Sequence, residues 1–176
     1  MKHPISTISN AAYLIAGLWL ILDSSAWMQD YAGIMVMLLG IASGIYHWTD
    51  KYWAQKADII AIFGAFNALM AWQLSTFAGF ADYEVLLLLV SLALSGAIGA
   101  TYRSWTHEQI GFLAIQNLMV LFVRSLGQFI PALLLYLVGL WIGQKAEHAD
   151  KDSSKYDIPH AIWHLLTATA ILLTGL

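Results

Sequence analysis

The stretch "KADIIAIFGAFNALMAWQL", residues 56–74, decides how this chain is to be read. After Asp58 no charged side chain follows until Asp82. A helix crossing the hydrocarbon of a membrane needs roughly 20 largely apolar residues, and this run has that length. Its one carboxylate falls in the first turn or two, where an ionisable group is expensive and therefore a functional candidate.

The rest of the chain calls for the same solvent. Of its residues 60% are hydrophobic and 11% charged, and the mean hydropathy is +0.68. Soluble domains are about half apolar and about a quarter charged. The expected fold is therefore an all-α integral membrane bundle, one domain over 1–176, with seven transmembrane helices near 5–22, 31–49, 56–74, 84–102, 109–124, 127–144 and 157–175. Ser24-Ser25-Ala26 could pass as a signal-peptidase site, but the n-region before it is weak, so the first segment is kept as a span. Connectors are short and charged, the longest being the polar run "QKAEHADKDSSKYD" at 144–157. The divide between the fifth and sixth spans falls around Arg124-Ser125-Leu126-Gly127.

Basic residues set the orientation. Lys2, Lys51, Lys56, Arg103, Lys145, Lys151 and Lys155 fall on one side and Arg124 alone on the other. The positive-inside rule then predicts a multi-pass protein of the inner or cell membrane, with a cytoplasmic N-terminus and the C-terminus outside. Trp27, Trp48, Trp53, Trp72, Trp105 and Trp141 fall near span ends, as interfacial tryptophans do. A net charge of −3 with eight Lys and Arg leaves no basic stripe for nucleic acid. With no cysteine, disulfides, thiolate metal sites, Fe–S clusters and thiol nucleophiles all drop out. Any metal must be held by His and carboxylate.

Five polar residues converge on that topology. His47 ends the second span, and Ser43 lies one turn deeper on the same face. Asp58 opens the third span, and His160 and His164 open the seventh in "DIPHAIWH". All five are expected at one membrane face. Three neutral imidazoles plus a water form a catalytic zinc arrangement. The i, i+4 pair suits it, because its rings leave one helix face about 6 Å apart along the axis. Asp58 is then the expected proton acceptor, and Ser43 the donor to a developing oxyanion. Asp157, three residues before His160, is placed either to orient that ring or to cap its helix. Ala161 stands where H-E-x-x-H zincins carry their base, so the base must come from another helix. His3, His107 and His148 read as ordinary interfacial histidines, and Gly40-x-x-x-Gly44 as a close-packing motif.

Ser43-x-x-x-His47, Asp58 eleven residues on, and Asp157-x-x-His160-x-x-x-His164 together resemble the CREST superfamily. That group includes the alkaline ceramidases, the PAQR receptors and bacterial relatives. "STISNAAYLI", residues 6–15, is similar to the first helix of the ceramidase branch. The resemblance implies a seven-helix zinc hydrolase cleaving an amide bond of a ceramide-like lipid. It implies zinc on His47, His160 and His164, with water held between the metal and Asp58 and assisted by Ser43. The acidic N-terminal calcium ligands of the ceramidases are missing, since no Asp or Glu precedes Asp23 and His3 stands about where the family has a glutamate. Calcium is therefore not carried over. The short loops favour a minimal enzyme over a receptor, although the expected cytoplasmic N-terminus resembles the receptor branch more.

Two other functions fit parts of the pattern. A receptor-like or structural zinc protein would use the same histidines without turnover. A haem or proton-relay membrane protein is the other: His160 and His164, sharing one helix face, cannot both be axial ligands of one iron, which leaves His47 paired with one of them. No residue names the lipid, and Gly40/Gly44 and "SGAIGA" (95–100) offer faces for self-association.

Overall fold

The computed structural model describes residues 2–101, 126–147 and 154–175, and there the chain is helical without strands. Helix α1 spans Pro4–Ser9 and runs into α2, Ala11–Leu22, through Asn10, which keeps helical dihedrals (φ −64°, ψ −16°). Then come α3 (Trp27–Thr49), α4 (Tyr52–Phe77), a 3₁₀ turn (Ala81–Tyr83), α5 (Glu84–Thr101), α6 (Leu126–Glu147) and α7 (Ser154–Gly175). Among the described residues four helical stretches are long and apolar enough to cross a membrane: Pro4–Leu22, Trp27–Thr49, Tyr52–Phe77 and Ala81–Thr101. The expected fifth span, 109–124, lies outside the described residues, as do Arg103, Trp105, His107, Arg124, His148 and Lys151.

Several helices are longer than their apolar cores suggest. α3 starts at Trp27 rather than at 31, since its first turn tolerates Gln29 and Asp30. Gln29 is buried there and its Nε2 donates to the Leu20 carbonyl (3.1 Å), taking up a C-terminal acceptor of α2. The turn from α3 to α4 is two residues long. Asp50 adopts the left-handed conformation (φ 52°) and its N–H bonds the Tyr46 carbonyl, closing α3, while extended Lys51 starts α4. This tight reversal sets the last turn of α3 beside the first turns of α4.

α4 packs on α3 and α5; α2 packs on α3 and α7; α6 packs on α7; α1 lies on α7 and α3. α4 is the most buried span, with 78% of its most apolar window inside the protein. Trp72 is therefore a core side chain, against the interfacial position expected from its place near a span end, whereas Trp27, Trp48, Trp53 and Trp141 are exposed. Because lipid tails are as apolar as Leu, helices in a membrane associate through close packing and buried polar bonds. α2 meets α3 through Gly17 and Gly33: a Cβ on Gly17 would stand 2.5 Å from the Gly33 carbonyl oxygen. Gly40 is pressed on the Asn10 carbonyl and Gly99 on Ile60, so small residues expected on self-association faces are used within the chain. α3, α4 and α5 are tied by polar bonds, from Asn67 to Ser95 (3.0 Å) and between Tyr31 and Ser91 (3.0 Å).

Candidate metal centre

At one end of the bundle the close of α3 meets the opening turns of α1, α4 and α7. His47, in the last turn of α3, is fully buried, and His160 and His164 on α7 are nearly so. Their ring centroids are 4.6 Å (His47–His160), 5.2 Å (His47–His164) and 4.8 Å (His160–His164) apart. The interplanar angles of 66°, 56° and 85° mean that the rings do not stack on one another. One ligand nitrogen from each lies within 4.8 Å of the others. A tetrahedral zinc holds its nitrogens about 3.4 Å apart, so small ring rotations close the set. All three histidines expected from spacing are thus brought together.

The Nδ1 of His164 lies 2.8 Å from Ser9 Oγ. The hydroxyl has one hydrogen, and the Ser6 carbonyl lies within reach of it at 2.9 Å. With that hydrogen directed to the carbonyl, Nδ1 is the donor to Ser9 and Nε2 keeps its lone pair; with it directed to Nδ1, the tautomer is the reverse. Metal-bound histidines are held in the first way, with the second ring nitrogen donating to a fixed acceptor. Three imidazoles without a thiolate suit zinc, and also copper, nickel or iron.

Aromatic rings immobilise the cluster. Tyr156 stacks on His160 (4.9 Å, 25°), and Trp163 stands edge-on to its ring (4.9 Å, 89°). Trp163 is itself pressed against α6, where a Cβ on Gly143 would come within 2.9 Å of the indole. Tyr13 meets His164 edge-on at 5.7 Å, and the Tyr13 hydroxyl bonds Thr167.

Ser43 and Asp58, both buried, line the same cavity as His160 and His164. The same cavity is lined by the apolar side chains of Leu39, Ile62 and Phe66 and by Tyr136 on α6. A carboxylate and a hydroxyl among apolar side chains are the mix of groups found in ligand sites.

Asp157 stands elsewhere than either expectation. α7 begins at Ser154, so Asp157 lies inside its first turn and is not its N-cap. Its carboxylate is turned to α1: Oδ1 accepts from Ser6 N (2.8 Å) and Ser6 Oγ (2.5 Å), and Oδ2 from Ile5 N (3.1 Å). Asp157 thus caps α1 across the bundle, in place of the ring of His160. His3 also departs from its expected interfacial role. It is buried, its N–H bonds the His47 carbonyl (3.0 Å), and its ring contacts those of His47 (5.9 Å) and Tyr156 (4.9 Å). Ser6, Ser9 and Tyr156 were given no role by the spacing of the histidines. The signal for the two serines was the polar run "STISN" at the start of a span, since polar groups in membrane helices are there for a reason.

Compared with models of known families, with curated proteins and with solved structures, the chain matches none.

Proposed function

We propose that this protein is a zinc-dependent intramembrane hydrolase of the CREST type, cleaving an amide or ester bond of a ceramide-like lipid. The observation that carries the reading is the convergence of three buried imidazoles on one point, beside the cavity that Ser43 and Asp58 line. We place it in the inner or cell membrane as seven spans, with the N-terminus in the cytoplasm and the C-terminus outside. The basic residues around α1, the α3–α4 turn and α7 support that orientation.

His47, His160 and His164 would hold the metal. Zinc in such a site supplies Lewis acidity, polarising a carbonyl and making water acidic near neutral pH. The protein's residues do the rest. Asp58 takes a proton from the attacking water as its oxygen bonds to the acyl carbon. Ser43 donates a hydrogen bond to the carbonyl oxygen as charge builds there. Asp58 then passes the proton to the departing amine as the carbon–nitrogen bond breaks, leaving a free fatty acid and an amine. Leu39, Ile62 and Phe66 offer the acyl chain an apolar wall.

The test is turnover of a panel of acyl-amide and acyl-ester lipids by purified protein in lipid nanodiscs. Hydrolysis that a chelator abolishes and zinc restores is expected. Asp58→Asn should lower it by roughly 10²–10⁴-fold, the usual contribution of a general base, with metal content unchanged. Full hydrolysis by this variant would refute the base assignment. Stoichiometric zinc without turnover of any lipid would favour a receptor-like or structural metal protein.

A further inference from the structure

We infer that Ser9, on the first helix, is the positioning residue of the metal centre: it locks His164 in the tautomer whose Nε2 faces the metal, and Asp157 holds it in place for that purpose. The inference rests on the metal reading above and adds to it a part of the chain that the histidine spacing does not mention.

Three observations support it. The first is direction. With Nε2 turned to the metal, Nδ1 carries the ring hydrogen, and Ser9 Oγ at 2.8 Å is placed to accept it while its own hydrogen goes to the Ser6 carbonyl at 2.9 Å. In the opposite tautomer a bare Nδ1 would meet the oxygen lone pairs of Ser9 at 2.8 Å, which is repulsive unless the hydroxyl abandons Ser6. The second is anchorage. α1 runs on into α2, so its contacts with α7 and α3 are what fix where its N-terminal end lies. Three hydrogen bonds from Ile5 and Ser6 to the Asp157 carboxylate, and those from Lys2 N and His3 N to the Trp48 and His47 carbonyls, pin it to α7 and α3. The third is closure. Asp157 lies two turns before His164 on the same helix, so α7 carries both the ligand and the anchor of the residue that orients it. The tautomer and the placing of α1 are thereby set together.

The experiment compares Ser9→Ala, Ser9→Thr and Thr7→Ala with wild type in detergent. Thr7 likewise bonds a backbone carbonyl at this end of the chain (that of His3, 2.7 Å), so its variant measures what a generic loss in this helix does. Zinc affinity is read by competition with a chromophoric chelator. The tautomer is read from ¹⁵N shifts of His164 in the metal-free protein, assigned by difference with His164→Gln. Ser9→Ala should bind zinc roughly 10–100-fold more weakly, the range seen when such outer partners are removed. It should also lose the uniform Nδ1–H signal. Ser9→Thr should restore both, and Thr7→Ala should leave both unchanged. Unchanged affinity in Ser9→Ala, equal losses in Ser9→Ala and Thr7→Ala, or an Nδ1–H signal that persists without the hydroxyl would overturn the inference. If wild type bound no zinc, the metal reading would fail, and the metal-free ¹⁵N spectra would still decide whether Ser9 sets the tautomer.

Discussion

Asp157 shows most clearly how one residue joins sequence to site. It is nearly buried, and its carboxylate accepts from two backbone N–H groups and one hydroxyl of α1. Hydrogen bonds to a charged group are worth about 1.5–3 kcal/mol each. Asp157→Ala leaves the α1 donors unmatched, and we expect a stability loss of roughly 2–3 kcal/mol, seen as a lower midpoint of thermal unfolding in detergent. An unaltered midpoint would mean that α1 is held by its backbone contacts alone. At this scale His47, Asp58, His160 and His164 were legible, because ionisable groups in apolar helices stand out and helical periodicity gives their faces. Asp157 was misread because its partners are about 150 residues away in sequence. Spacing can suggest only neighbours on the same helix.

Helix packing obeys a different logic. Where α2 crosses α3, a Cβ on Gly17 would meet the Gly33 carbonyl oxygen at 2.5 Å and the Met37 nitrogen at 2.9 Å, backbone atoms that cannot swing aside as the Met37 side chain can. Gly17→Ala should therefore destabilise the protein by about 1–3 kcal/mol, as overpacking does. Gly44 has only Asn10 Cβ near it, at 3.9 Å. Gly44→Ala should be neutral or stabilising by up to about 1 kcal/mol, since Ala is the better helix former. The opposite signs, read from unfolding midpoints of the two variants, test whether the backbones approach closely at Gly17 and leave room at Gly44; equal effects would refute it. The spans themselves were legible from apolar runs. Their ends were less so, because polar residues such as Gln29 and Asp30 extend a helix at no cost when they reach carbonyls or headgroups. Which glycines meet was not legible, since Gly40-x-x-x-Gly44 shows a small-residue stripe without saying what lies on it.

As a whole the molecule gathers its chemistry at one end. The last two turns of α3 and the N-terminal turns of α1, α4 and α7 supply the histidines, Ser43 and Asp58, and the cavity beside them is also lined by apolar side chains. If the site faces the cytoplasm, as we propose from the basic residues, then a cysteine at Lys51 should react with a membrane-impermeant maleimide only from the cytoplasmic side. The chain has no cysteine of its own, so this labelling has no background. Labelling from the outside would invert the topology and place the reaction on the other leaflet.

The central claim is that His47, His160 and His164 form one zinc site, and metal content tests it most directly. Protein purified without chelator should carry one zinc per chain by elemental analysis, Asp58→Asn should carry as much, and His164→Ala should carry almost none. Wild-type protein free of zinc after supplementation, or a His164→Ala variant that keeps its full complement, would contradict the account.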